Sequence, residues 1–151
     1  WRSMGDAGGS RGEKGSPEEG KGAAAKAPEE SKTETIVQYI VVRKDLTKKP
    51  LRWSWGSVIS NACHASVAAI VAGMDDPVVK RYVTQVKQMH KVTLAAPDEE
   101  SLLSISKDLQ TNGIEHKLWV EEPEKIPTCL AVRPMERSKI QSHLSKLKLF
   151  R

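Results

Sequence analysis

Three polar side chains with the spacing of a helical face are the first candidates for chemistry in this chain. Ser57, Asn61 and His64 follow one another at intervals of four and three residues, so a helix would place them on one side. A hydroxyl in the first turn can cap the helix or bind an anion, and an imidazole can titrate near neutral pH. The alternative for His64 is a structural role. Together the three residues indicate a site at the start of a helix.

Two further candidates lie where predicted strands meet loops. Glu121 ends the segment HKLWVE, and as a base it could orient a water molecule. The alternative is a solvated acid beside Glu122 and Glu124. Thr128 begins the segment TCLAVR and could donate a hydrogen bond to a carbonyl or an oxyanion. The alternative for Thr128 is an ordinary β-branched strand residue.

The segment that carries the polar line consists mostly of small residues. WGSVISNACHASVAAIVAG places Ala, Ser, Gly and Cys where an amphipathic helix usually carries Leu. It follows TIVQYIVVRKDL, whose β-branched residues predict a buried strand. Because small side chains let a helix lie close to a sheet, we predict that Ala65 and Ala69 press against the strands.

Basic and aromatic residues are mixed in the loop before this helix. Aromatic rings beside cations suit the stacking of unpaired nucleic-acid bases. We predict that Trp53 contacts such a partner and that Trp55 closes the core over the loop. The predicted phosphate contacts are Lys44, Lys48, Lys49, Arg52 and Arg133. The alternative is a solvated basic surface.

Charge and composition divide the chain into a tail and a domain. Residues 1–35 are rich in Gly, Lys and Glu and hold seven acidic and six basic residues, a composition typical of disorder. Because the whole chain is +5 and this tail is −1, residues 36–151 carry +6. That charge favours a polyanionic partner, with a basic domain that binds no nucleic acid as an equal alternative.

The composition also gives expectations for location. The acidic residues of the tail disfavour a transit peptide, and the tail lacks the apolar core of a signal peptide. The longest apolar run, residues 65–74, is too short to span a bilayer. We therefore expect a cytoplasmic protein without a membrane anchor. An organellar protein is the alternative if the tail is the remnant of a processed leader.

The remaining pattern predicts an α/β fold for residues 36–151. The expected order is β-α-α-β-α-β-β-α, a mixed four-stranded sheet with helices on both faces. Helical crossovers join parallel strands, and the short link between the last two strands implies an antiparallel pair. After the first helix, the predicted elements are a helix from residue 77 to about 90, a strand at 91–96, a helix between 98 and 113, strands at 116–121 and 128–133, and a helix at about 140–147.

Several sequence motifs of enzymes and metal sites are absent. The chain has no GxGxxG, GxxxxGK[ST], HExxH or GxSxG motif. Its two cysteines, Cys63 and Cys129, form no CxxC pair and have no histidine at zinc-ligand spacing. Both fall in apolar segments and are expected to be buried thiols. No cofactor and no protein-bound metal are therefore expected.

Four segments in order resemble the type II peptidyl-tRNA hydrolase family, in particular its divergent branch of peptidyl-tRNA hydrolase domain-containing proteins. They are VQYIVVRKDL, GSVISNACHASVAA, HKLWVEEPE and TCLAVRP. The resemblance covers residues 36–151 and excludes the tail. It implies the mixed four-stranded fold, an enzyme that needs no organic cofactor, and cleavage of the ester between a peptide and the terminal ribose of tRNA.

The resemblance also implies roles for individual residues. The family's active site has a lysine after a glycine at the start of the first helix, an aspartate at the end of the third strand and a threonine at the start of the fourth. Gly56 matches the glycine, Thr128 the threonine, and His64 the histidine of the first-helix motif. Ser57 replaces the lysine, and Glu121 (or its neighbour Glu122) replaces the aspartate.

These observations lead to a peptidyl-tRNA hydrolase as the functional hypothesis, with a role in translation quality control. The expected catalytic residues are Glu121, Thr128 and Ser57. The expected substrate contacts are Gly56, Asn61, His64, Lys44, Lys49, Arg52 and Trp53. The partner would be peptidyl-tRNA, with a homodimer left open. The alternative is a catalytically impaired homologue that binds tRNA or protein.

Overall fold

The computed structural model describes residues 34–151, so most of the predicted tail lies outside the described residues. The last two tail positions are described, and both make hydrogen bonds. The amide of Ser138 donates to the Glu34 carboxylate at 2.7 Å, and the amide of Arg137 donates to the Thr35 carbonyl at 3.0 Å. Residues 34 and 35 are therefore hydrogen-bonded to the start of the last helix.

The described residues form four helices and six strands. In chain order the elements are β1 (Ile36–Arg43), α1 (Trp55–Ala72), α2 (Pro77–Thr84), β2 (His90–Ala96), α3 (Glu99–Thr111), β3 (His116–Glu121), β4 (Ile126–Val132), β5 (Met135–Glu136), α4 (Arg137–Leu144) and β6 (Lys148–Leu149). Two short 3₁₀ helices, Asp45–Thr47 and Val86–Gln88, lie in the connections.

The strands form one mixed sheet with the order β3-β4-β1-β2-β6. β1 and β2 are parallel, whereas the pairs β1–β4, β3–β4 and β2–β6 are antiparallel. The short β5 pairs with the beginning of β1. The predicted α/β class is confirmed, but the sheet has six strands rather than four. The two additional strands have two residues each, too few to produce an alternating hydrophobic pattern.

Polar side chains fix the starts of the first three helices. Ser54, Asp76 and Asp98 each accept a hydrogen bond from a first-turn amide of α1, α2 and α3, respectively, as N-cap residues do. The second helix is shorter than predicted, because it ends at Thr84 and a 3₁₀ turn follows. Val86, which lies in this 3₁₀ turn, is exposed.

Two hydrophobic clusters cover the two faces of the sheet. One contains residues of α3 and α4, such as Leu102 and Ile140, packed on β1, β2 and β4. The other contains Ala65 and Ala69 of α1 packed on β1 and β4. Ala65 and Ala69 are almost fully buried, which confirms the predicted contact of the small-residue face with the sheet.

The composition of α1 also meets a criterion for membrane spans. Its 18 residues have a mean hydropathy of 1.3, which is enough for a candidate span by length and composition. In the structure, however, α1 lies on the sheet and buries the polar side chains of Asn61 and Ser66. Packing on the strands thus accounts for the small residues Ala65 and Ala69, whereas only 28% of the helix residues are buried.

We predict that Ala69→Leu will lower the free energy of unfolding by about 1–3 kcal/mol, because a larger side chain overpacks the contact between α1 and the sheet. Denaturant melts of the variant and the parent chain measure the change. Ala72→Leu is a matched control, since Ala72 lies on the same helix but is exposed. Equal stability of the Ala69 variant and the parent would contradict the packing of α1.

Candidate functional site

Four elements bring the predicted site residues to one end of the sheet. β1 ends at Arg43, and α1 begins nearby after the connecting loop. β4 runs antiparallel to β1 with Cys129 opposite Val42, so Thr128 lies beside the end of β1. Glu121 is at the end of β3, opposite Ile126 of β4. The antiparallel pairing therefore gathers side chains that lie far apart in the sequence.

A chain of hydrogen bonds joins β4 to the first turn of α1. The Thr128 hydroxyl donates to Asn61 Oδ1 at 2.8 Å, and Asn61 Nδ2 donates to the Ser57 carbonyl at 2.9 Å. Thr128 and Asn61 are both buried, at 0% and 2% exposure. These two side chains thus hold the start of α1 at a fixed position over the sheet.

This geometry differs from the direct role expected for Thr128. The hydroxyl has one proton, and that proton is engaged by Asn61 in a fully buried position. In this arrangement Thr128 does not point a donor at a substrate. The hydroxyl is linked instead to the backbone of α1, because the side-chain amide of Asn61 donates in turn to the Ser57 carbonyl.

The first turn of α1 presents the accessible polar groups of the site. Ser57 and Gly56 are exposed, and the hydroxyls of Ser54 and Ser57 lie 2.9 Å apart. The Ser57 amide is already capped by Ser54 Oγ at 3.1 Å. A helix leaves its first amides without internal partners. The amides of Trp55 and Gly56, which precede the capped amide of Ser57, can therefore donate hydrogen bonds to a ligand.

Neither the backbone conformation nor the surrounding atoms require a glycine at position 56. A Cβ built on Gly56 would meet only Ser54 Oγ, at 3.7 Å, which is ordinary contact. The open space above the first turn leaves room for a ligand.

A stacked aromatic pair orients the carboxylate at the end of β3. Trp119 Nε1 donates to Glu121 Oε2 at 2.8 Å. The His64 ring of α1 stacks on the Trp119 indole, with ring centres 4.9 Å apart and planes inclined by 15°. One oxygen of Glu121 is therefore fixed by the indole, and the other can accept a hydrogen bond from water.

Trp119 was not among the residues predicted for this site from the sequence. The alternation within HKLWVE was a usable signal, because residues 119 and 121 of a strand must share a face.

A buried guanidinium supports the same end of the sheet. Arg43 donates to both oxygens of Asp45 at 2.7 and 3.0 Å and to Glu99 at 2.7 Å. It also donates to the carbonyl of Pro127 at 2.7 Å, directly before Thr128. The Arg43 side chain is 5% exposed, and its bond to Asp45 raises the pKa of the guanidinium. Arg43 thereby ties β1, α3 and the start of β4 together.

The two tryptophans of the loop occupy the opposite of their predicted positions. Trp53 packs against the cluster under α1, whereas Trp55 is 55% exposed. Trp55 is the first residue of α1, and its side chain contacts Phe150 edge to face at 5.8 Å between ring centres. Sequence spacing could not distinguish them, because the loop turns through a positive φ of 52° at Arg52.

The structure brings only some of the predicted phosphate contacts together. Lys44, Lys48, Lys49 and Arg52 are exposed and lie between the end of β1 and the start of α1. Arg133 follows β4 at the opposite end of the sheet, because β4 runs antiparallel to β1. It forms ion pairs there with Asp76 at 3.3 Å and Glu115 at 2.7 Å.

The two cysteines lie in different environments. Burial raises the pKa of Cys129 to about 11, so its thiol stays neutral at physiological pH. Cys63 is exposed, contrary to the expectation that both thiols are buried. Within residues 34–151, no group of three or more His, Cys, Asp or Glu side chains could hold a metal ion.

Comparisons with known proteins point to one family. The model of the family described as "Peptidyl-tRNA hydrolase PTH2" matches residues 36–150. A human protein named "Putative peptidyl-tRNA hydrolase PTRHD1" is 41% identical over 118 residues, which cover 78% of this chain and 84% of the human protein. The mouse protein of the same name is 40% identical over 116 residues, or 77% of this chain and 83% of the relative.

We predict that Thr128→Val will lower the free energy of unfolding by about 1–3 kcal/mol, because it leaves the buried carbonyl oxygen of Asn61 without a donor. Thr128→Ser is the matched control, since it keeps the hydroxyl and removes one methyl group, at a cost of about 0.8 kcal/mol. Chemical denaturation of both variants measures the difference.

A double-mutant cycle tests whether this cost arises from the contact with Asn61. In an Asn61→Ala background, Thr128→Val should cost clearly less than in the parent, because the orphaned acceptor is gone. Full additivity of the two changes would show that Thr128 does not act through Asn61.

Proposed function

The chain belongs to the peptidyl-tRNA hydrolase PTH2 family, and from this premise we propose that it hydrolyses the ester between a peptide and the terminal ribose of tRNA. The observation that carries the proposal is the oriented carboxylate of Glu121 at the same end of the sheet as the exposed first turn of α1. An ester hydrolase needs a base near water and donors near the carbonyl oxygen, and these elements supply both.

Glu121 acts as the base in this proposal. Trp119 holds one carboxylate oxygen, so the other oxygen accepts a proton from a water molecule that attacks the ester carbon. The water oxygen forms a bond to that carbon, and the carbonyl oxygen takes up negative charge. When the tetrahedral intermediate collapses, the bond to the ribose oxygen breaks and the proton passes from Glu121 to that oxygen. The products are a peptide acid and a free tRNA.

The first turn of α1 stabilises the developing negative charge. The amides of Trp55 and Gly56 and the hydroxyl of Ser57 lie at the positive end of the helix dipole. Preorganised donors of this kind cost no reorganisation during the reaction. Thr128 and Asn61 contribute as positioning residues, because their hydrogen bonds hold this turn over the sheet.

Hydrolysis of a purified peptidyl-tRNA by the full-length chain tests the proposal. Glu121→Gln should lower the rate by about 10²–10⁴-fold, the usual contribution of a positioned base, while leaving the fold intact. Glu122→Gln is the matched control, since Glu122 is an exposed neighbour in the following turn. A large loss of hydrolysis rate in the Glu122 variant alone would assign the role of the base to Glu122.

Ser57→Lys tests the position at which the family carries lysine. It should raise the rate, because an ammonium at the start of α1 returns a cation close to the developing negative charge. A parent chain that does not exceed the rate in buffer would favour the alternative, a homologue that binds tRNA or protein without turnover. Strong activity after loss of Glu121, Glu122 and Thr128 together would contradict this site altogether.

The cytoplasmic location, with an organelle as the alternative, stays a prediction from the sequence.

Self-association is a further proposal, and it is supported by apolar residues on the outer face of α1. Ile59, Val67 and Val71 are each more than half exposed, and the spacing of four residues between Val67 and Val71 aligns them on one side. Light scattering after size-exclusion chromatography should give a dimer for the parent and a monomer for Val67→Glu/Val71→Glu. A monomeric parent would contradict this proposal.

A further inference from the structure

A hollow lined by positive side chains opens beside the proposed catalytic site. Its volume is about 760 Å³, and it lies between the end of β1, the end of β2 and the segment that follows α4. We define the basic cleft by the five cations that line it, which are Lys44, Lys48, Lys146, Lys148 and Arg151. No acidic side chain belongs to its lining within the part of the chain that the structure describes.

No ion pair among residues 34–151 neutralises a cation of the basic cleft. Among residues 34–151, the basic partners of the ion pairs are Arg43, Arg133, Lys139 and His143. None of these lines the cleft. Asp45 lies close in sequence to Lys44 and Lys48, but its carboxylate is bound by Arg43. Five like charges around one hollow therefore attract an anion of high charge density.

Strand pairing places the basic cleft and the catalytic site at the same end of the sheet. Lys148 of β6 pairs with Ala95 near the end of β2, and the amide of Lys44 donates to the carbonyl of Ala96 at 2.9 Å. Thr128 lies at this end too, three strands away from β6 in the order β4-β1-β2-β6. Three interstrand spacings amount to about 14 Å, or roughly four base steps of a helical strand.

An aromatic contact connects the cleft to α1. Phe150 directly follows β6, and its amide donates a hydrogen bond to the Thr93 carbonyl of β2 at 3.0 Å. Phe150 contacts Trp55 of the first turn of α1. The segment that carries Lys146, Lys148 and Arg151 is therefore attached to the helix start at which the ester would react.

We propose that the basic cleft binds backbone phosphates of tRNA next to its esterified end and so positions the ester at the first turn of α1. This inference rests on the proposed function, and it assigns the tRNA-binding role to residues after α4. RNA is the favoured polyanion because the cations line a hollow rather than a protruding face, and because the cleft lies within a few base steps of the site.

Binding of deacylated tRNA to the full chain, measured as a function of salt concentration, tests the proposal. Lys146→Gln/Lys148→Gln should weaken binding by about tenfold or more and reduce the slope of log K against log salt by about 1.4–1.8, the loss of two phosphate contacts. Lys80→Gln/Lys107→Gln is the matched control, since it removes the same charge from exposed positions outside the cleft. Equal losses of tRNA affinity in both variants would overturn the proposal, because the effect would then depend on net charge and not on the position of the lysines.

Turnover of peptidyl-tRNA separates this proposal from the proposed function. If both hold, the cleft variant loses kcat/KM mainly through a higher KM, whereas Glu121→Gln loses kcat. Binding that depends on the cleft without any hydrolysis by the parent would support the cleft and refute the catalytic proposal. Hydrolysis with no effect of the cleft variant on KM would refute the cleft alone.

Vesicles with anionic lipids provide the remaining comparison. If the cleft variant loses vesicle binding but keeps the affinity of the parent for tRNA, the ligand of the cleft is a membrane surface and the proposal is overturned. The expected result is the reverse, a loss of tRNA binding with little vesicle binding by either chain.

Discussion

The buried guanidinium of Arg43 is the interaction on which the functional end of this molecule depends. A charged group that is 5% exposed is stable only when its donors are satisfied. The guanidinium donates to three acceptors from different parts of the chain, which are Asp45, Glu99 and the Pro127 carbonyl. The carboxylates of Asp45 and Glu99 remain partly exposed, so the bonds fix geometry more than they add stability. The end of β1, the start of α3 and the start of β4 are thereby held in register.

The position of Thr128 follows from that register. Its backbone comes directly after the carbonyl that Arg43 holds, and its hydroxyl reaches Asn61 of α1. The close approach of α1 is possible because Ala65 and Ala69 face the sheet, where larger side chains would lift the helix away. Arg43 and the small-residue face therefore act together. Arg43 fixes the relative positions of the strand ends, and the small-residue face sets the distance between α1 and the sheet.

Binding and chemistry use different parts of this end of the sheet. The proposed base is on β3 and the proposed donors are on α1, whereas the basic cleft lies between the ends of β1 and β2 and the segment after α4. Such a division suits a substrate that is long and strongly charged but reacts at a single ester. In the proposed complex, phosphate contacts spread over a few nucleotides would orient the ester, and only a small number of neutral donors and one carboxylate would have to meet it.

The sequence by itself determined the α/β class and the burial of Ala65 and Ala69, because these follow from local hydrophobic period and residue size. It also determined that β1 and β2 run in the same direction, because helices connect them. It also placed Ser57, Asn61 and His64 on one helix. Tertiary structure decided what those groups contact, because hydrogen bonds between distant segments leave no local pattern. Only the fold buried the Thr128 hydroxyl against Asn61, stacked His64 on Trp119 and exchanged the expected environments of Trp53 and Trp55. Only strand pairing through β6 brought Lys146 and Lys148 beside Lys44.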